Sequence, residues 1–208
     1  MTQMQIYELN AAPDRVSLFE IASEQKGYFT AQQARTCAFS WSLLSHHVKA
    51  GLFKRVRRGL YRFRDYPSSL HEDLLVAWLA VGKEVAVISH ESALDILSLS
   101  DVIPNAIHLT VPRSRRNRPS LLGVKIHTTA RLLRTEDRLV RDGLAVTSAA
   151  RSILDSAETG TAPEQIEMAI MQALSRSMVI ADKLRIDSNE RNRRVIRLIA
   201  NALQRAGS

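Results

Sequence analysis

Between His46 and Arg64 the chain carries seven cations, Lys49, Lys54, Arg55, Arg57, Arg58, Arg62 and Arg64, and no acidic residue. Unpaired charge of one sign cannot be taken into a core, so this stretch must fold with its cations in water or against a polyanion. Its apolar residues say how: Leu60, Tyr61 and Phe63 flank a turn centred on Arg58-Gly59, the pattern of a basic β-hairpin.

Three short helices precede the hairpin. Val16, Phe19 and Ile21-Ala22 share roughly one face of a helix over 16–24, which Gly27 stops. Thr30 can cap a second helix that runs to about Thr36, with Gln33 completing a capping box. Ser40 can cap a third, closed by Gly51, in which Trp41, Leu44 and Val48 recur at helical spacing and face inward. Its opposite face offers Ser42, Ser45, His46 and Lys49 to solvent. Three helices and a basic hairpin spell a winged helix-turn-helix over 13–66. Such a module sets the third helix in the major groove of duplex DNA and lets wing cations, here Lys54, Arg55, Arg57, Arg58 and Arg62, reach phosphates or the minor groove. Homodimers on inverted repeats accompany this mode of recognition.

Tyr66-Pro67-Ser68-Ser69 reads as a boundary, with Ser69 able to cap the next helix. A second, mixed α/β domain over 69–208 is expected, which makes the chain α+β. Its helices are read at 70–81, from Ser89 as cap to about Leu97, and at 148–157, 163–175 and 190–205; its strands at 85–88, 107–111 and 124–128. Val195, Leu198, Ile199, Ala202 and Leu203 make one apolar stripe on the last helix. A second basic cluster, Arg113, Arg115, Arg116 and Arg118, sits in a loop between strands, and a third, Arg191, Arg193, Arg194 and Arg197, near the C-terminus. The loop arginines fit additional phosphate contacts, an acidic protein surface or plain solvation equally well.

The net charge of +8 favours an anionic partner once its location is known. Cys37 is the single cysteine, which excludes an internal disulfide and a zinc site of paired thiolates and suits a reducing cytoplasm. Met1 to Asn10 lack the pattern of an export signal, and no apolar run is long enough for a membrane span. His90-Glu91 begins like a metalloprotease helix, but Leu94 stands where the second imidazole belongs, so no metal or other cofactor is expected. There is no glycine-rich phosphate loop, no nucleophile elbow and no carboxylate-carboxylate-x-lysine pattern before Lys125, so catalysis is not expected. Arg151 and Asp155, four residues apart, are placed to pair on one helix.

The order of the segments resembles the AbiEi-type antitoxins of type IV toxin–antitoxin (abortive infection) systems, the mycobacterial MenA group among them. The stretches that carry it are Gly27-Tyr-Phe-Thr-Ala-Gln-Gln-Ala34, Gly51-Leu-Phe-Lys-Arg-Val-Arg-Arg-Gly-Leu-Tyr-Arg62, Ile88-Ser-His-Glu-Ser-Ala-Leu94, His108-Leu-Thr-Val-Pro-Arg113, Val124-Lys-Ile-His127 and Val146-Thr-Ser-Ala-Ala-Arg-Ser-Ile-Leu-Asp155. The resemblance implies a winged-helix transcriptional autorepressor that binds operator DNA, joined to an antitoxin domain that counteracts a nucleotidyltransferase-like toxin. A protein-interaction antitoxin module without DNA binding is the alternative; acids invading the wing would mark it, and none are present.

Overall fold

The computed structural model describes residues 12–117, 120–130 and 133–206. Met1 to Asn10, where an export signal is sought, and Arg118 of the second basic cluster lie outside the described residues. The fold is α+β, in two compact units that divide after Gly82.

The first unit runs α1 (Arg15–Ser23), β1 (Tyr28–Thr30), α2 (Ala31–Thr36), α3 (Trp41–Lys49), β2 (Phe53–Arg57), β3 (Leu60–Phe63) and α4 (Glu72–Val81). β3 is the central strand, antiparallel to β1 and to β2. Side-chain oxygens satisfy the orphan amides at the helix starts: Asp14 accepts from the Ser17 amide, Thr30 and Gln33 form both halves of a capping box, and Ser40 accepts from the Leu43 amide. Gly27 is required twice over, since its φ is +84° and a Cβ there would stand 2.3 Å from Cγ of Tyr66.

Leu18, Ala22, Phe29, Phe39, Leu44, Phe53 and Tyr61 form the core of this unit. Phe29 and Phe53 meet edge to face with centroids 5.0 Å apart, a geometry that adds to the area they bury. α1 turns a different face inward from the one its sequence suggests. Leu18 and Ala22, one helical turn apart, are buried, whereas Val16 is 70% and Phe19 49% exposed. Phe19 lies on the rim, edge-on to Phe63 at 5.4 Å.

α4 groups with this unit, although the sequence suggests a new domain from residue 69. The Tyr28 hydroxyl donates to Glu72 Oε2 at 2.9 Å, Arg62 Nη2 lies 3.3 Å from Glu72 Oε1, and Lys26 Nζ donates to the Leu70 carbonyl at 3.1 Å. Ser69 does not cap α4 with its hydroxyl; its amide donates to Glu72 Oε1 at 2.9 Å, and His71, with φ +59°, holds the position before the helix.

The second unit contains β4 (Val87–Ile88), α5 (His90–Ile96), β5 (Ile107–Pro112), β6 (Val124–Thr129), β7 (Arg138–Arg141), β8 (Leu144–Thr147), α6 (Ala149–Thr159), α7 (Pro163–Ser175), α8 (Ala181–Ser188) and α9 (Arg193–Ala206). The sheet order is β6-β5-β4-β8-β7, with β5–β6 and β4–β8 parallel and β4–β5 and β7–β8 antiparallel. Ile88, Leu94, Leu99, Leu109, Leu144 and Ile153 fill its interior. The β7–β8 hairpin turns on Asp142-Gly143, both with positive φ, the backbone of a type I′ turn. Val195, Ile199, Ala202 and Leu203 of α9 are buried, as the periodicity of the last helix predicts. Among the described residues no helix is long and apolar enough to cross a membrane.

Candidate nucleic-acid interface

α2, the following turn and α3 make the helix-turn-helix, and the β2–β3 hairpin makes the wing. On α3, Ser42, Ser45, His46 and Lys49 are all exposed, while Leu44 is fully buried and Leu43 and Val48 pack against the core. His47 faces inward too, with its ring 5.1 Å from that of Phe53, and burial lowers its pKa, reinforced by Arg15 and His46. Trp41 departs from its expected structural role: it is 58% exposed. The inward face of α3 is centred between Leu43, Leu44 and His47, and at about 100° per residue Trp41 falls roughly a third of a turn away from that centre.

The wing cations divide between two faces. Lys54 and Arg62 are cross-strand partners on one face of the hairpin; Arg55 and Tyr61 are partners on the other. Arg55, Arg58 and Gly59 of the wing, with Tyr61, line a single concavity of about 600 Å³ with Trp41, Ser45 and Val48 of α3. Ser45 and Trp41 of the helix and Arg55 and Arg58 of the wing thus share one surface, of which Ser42, His46 and Lys49 are not part. A bulge between Arg55 and Arg57 sets Arg57 opposite Leu60, where it is half-buried, and Lys54, though exposed, stands on the far face.

Arg62 is a correction to the predicted DNA contacts. Its side chain is only 12% exposed; Nη2 donates to the carbonyls of Tyr66 at 2.7 Å and Pro67 at 3.0 Å and pairs with Glu72, and its guanidinium carbon lies 5.3 Å from the Tyr28 ring centroid. All of these interactions are internal to the unit, so Arg62 fastens the wing to the segment running into α4. The Tyr28 hydroxyl pKa is pushed up to about 12, first by burial and then by its hydrogen bond to Glu72, against the lowering effect of Arg62. Glu72 is held below its ordinary value: burial opposes ionisation, but the Ser69 amide, the Tyr28 hydroxyl and Arg62 outweigh it.

The other basic clusters differ in kind. Arg113, Arg115 and Arg116 are exposed on a short 3-10 turn (Arg113–Arg115) after β5. Arg191 pairs with Asp155 at 2.8 Å and with Glu158, and Arg194 donates to the Ala157 carbonyl at 2.7 Å, which makes them internal braces. Arg151 pairs with Asp155 at 2.8 Å, as its spacing predicts, so the buried carboxylate is held from two sides.

One group of residues escapes sequence reasoning. His90, His108 and His127 come together in the second unit, with one ring nitrogen from each within 4.8 Å of the others. His127 pairs with Thr110 across β5–β6, and His108 precedes Thr110 by two, so both imidazoles stand on one face of the sheet; β4, hydrogen-bonded to β5, delivers His90 to the same place. His90 and His127 stack with centroids 3.6 Å apart. Ser89 does not cap α5: its hydroxyl lies 2.8 Å from His90 Nδ1 and accepts from Thr110 Oγ1 at 2.8 Å. The expectation of no metal-ligating group rests on local spacing, and these residues are 18 and 19 apart, joined only by sheet register.

Residues 17–64 match the family model described as "Transcriptional regulator, AbiEi antitoxin", a non-enzymatic kind of protein. The match spans the helix-turn-helix and the wing, so the resemblance read from the sequence holds over this segment. No curated protein matches the chain. Among solved structures, the chain is similar to the RV2827C protein from Mycobacterium tuberculosis, at 14% identity with a TM-score of 0.65, covering 96% of this chain and 81% of that one. This likeness is one of fold.

Proposed function

We propose that this chain is an AbiEi-type antitoxin that represses its own operon through the winged helix and counteracts a nucleotidyltransferase-like toxin, without catalysis of its own. The observation that carries the DNA-binding half is the shared concavity of Ser45 and Trp41 with Arg55 and Arg58. Small polar side chains on an exposed helix face suit base edges in the major groove, and guanidiniums set beside that face suit the flanking phosphates. Ser42, Ser45, His46 and Lys49 read sequence in this proposal; Arg55 and Arg58 hold the backbone, with Arg57 and Lys54 contributing at the margin. Trp41 supplies apolar contact to a thymine methyl or a sugar. A homodimer would place two such surfaces on half-sites about 34–36 Å apart. Arg113, Arg115 and Arg116 are reserved for an anionic partner, either toxin or phosphate. The toxin half rests on the family match over 17–64.

Titration of labelled promoter DNA at several salt concentrations tests the first half. Log affinity should fall linearly with log salt, by about 0.9 for each phosphate neutralised. Ser45→Ala or His46→Ala should change which sequence is preferred, whereas Arg55→Ala with Arg58→Ala should weaken all sequences alike. Retention of wild-type affinity by the arginine pair would remove the wing from the proposal. Growth rescue of cells expressing the product of the adjacent reading frame tests the second half, and failure of rescue with an active toxin would remove it.

A further inference from the structure

We propose that His90, His108 and His127 form a binding site for a divalent transition-metal ion of the zinc class, independent of the DNA-binding surface. His108 Nδ1 and His127 Nε2 share a hydrogen bond at 3.1 Å, close to the roughly 3.3 Å that separates two nitrogens on a tetrahedral ion with metal–nitrogen bonds of about 2.0–2.1 Å, so an ion bound there takes the place of the proton between them, which leaves to solvent or to the ring's other nitrogen. One ring nitrogen of each of the three histidines lies within 4.8 Å of the others, and binding an ion would require side-chain rotation to bring them closer. Ring lone pairs lie in the ring plane, so ligation splays the His90–His127 stack.

The surroundings orient the ligands. Ser89 Oγ has two lone pairs; one accepts from Thr110, and the other can accept from His90 Nδ1–H at 2.8 Å, which leaves Nε2 of His90 as its donor to a metal. A ligating imidazole generally donates its other ring N–H to an oxygen acceptor that fixes its tautomer, and here the buried Ser89 hydroxyl, itself held by buried Thr110, stands in that place. Burial, reinforced by the neighbouring imidazoles, holds His90 down to about 2 and His127 down to about 4, and burial also lowers His108. All three are therefore neutral near pH 7, the form that coordinates metal.

Chemistry and access narrow the class of ion. An all-imidazole donor set suits zinc, cobalt, nickel and copper and is poor for magnesium or calcium, which take oxygen ligands. His90 and His127 line an open cleft of about 670 Å³, which gives an ion a route to them. A fourth position facing that cleft would take water or an anion.

The test uses the full chain freed of metal with a chelator and titrated with cobalt(II) and then zinc(II), read by visible absorption and calorimetry. One equivalent should bind with the absorption of tetrahedral cobalt, zinc should displace it, and magnesium should do neither. His127→Asn should abolish binding, Ser89→Ala should weaken it by about 10- to 100-fold, and His46→Gln should leave it unchanged. Because a buried variant can misfold, histidine ring resonances of the unmutated chain provide a second readout: those of His90, His108 and His127 should shift together on adding zinc. Absence of stoichiometric binding, binding that survives His127→Asn, or shifts confined to His46 and His47 would each overturn the proposal.

Discussion

The wing and the C-terminal cluster are both rich in arginine and differ in what the fold does with their charge. Among the described residues Arg55, Arg57 and Arg58 form no salt bridge, whereas Arg191 is spent on Asp155 and Glu158 and Arg194 on helix-end carbonyls of α6. What separates them is whether an acid comes within reach after folding, and that depends on partners more than thirty residues away. A guanidinium already paired inside the protein has little left for a ligand; an unpaired one keeps its field directed outward.

The largest effect that would sharpen this contrast is in the second unit. Asp155→Ala leaves Arg151 and Arg191 without their shared, buried carboxylate and should cost about 3 kcal/mol or more by chemical denaturation. A loss below about 1 kcal/mol would show that the brace is replaceable. Next comes Arg62, which sits in the wing but behaves like the internal group. Arg62→Ala should destabilise the chain by about 1.5–3 kcal/mol, as expected for lost hydrogen bonds to a charged group, while the salt slope of DNA binding stays that of wild type. A shallower slope would return Arg62 to the DNA surface.

The reverse pattern is expected of Arg55→Ala with Arg58→Ala: stability within about 0.5 kcal/mol of wild type for each change, and a salt slope lower by about 2. Loss of stability without change in slope would erase the distinction between the clusters. The smallest effect is pH-linked. Because the folded Glu72 carboxyl lies below its unfolded value, the unfolded chain binds the extra proton as pH falls, so its stabilisation is complete above about 4.5 and is lost as pH drops through the folded value. Glu72→Gln should remove that component from the dependence of the denaturation midpoint on pH. Identical acid limbs for the two proteins would argue against the Tyr28–Glu72–Arg62 network.

Local signals in this sequence carry far. Thr30 with Gln33 and Ser40 with Leu43 place two helix starts, because a cap is a contact between residues three apart. The arginine-glycine turn places the wing for the same reason. Where the outcome depends on which edge of a helix meets the core, the reading slips: Trp41 and Val16 fit an apolar stripe yet lie outside the buried arc. The Asp142-Gly143 turn is a legible hairpin signal that is overshadowed by the charged residues around it. Nothing local points to the three histidines or to Arg62 turning inward, since both are set by strand register and by a helix that begins ten residues further on.

The way Arg62 and Tyr28 hold Glu72 bears on where the helix-turn-helix and its wing can be cut from the chain. A fragment ending at the proline after the wing would bare a guanidinium and a phenol whose acceptor has been removed, along with the surface that α4 covers. The smallest autonomous piece for crystallisation or operator selection is therefore one that extends through residue 82, and shorter versions should be recovered as aggregates.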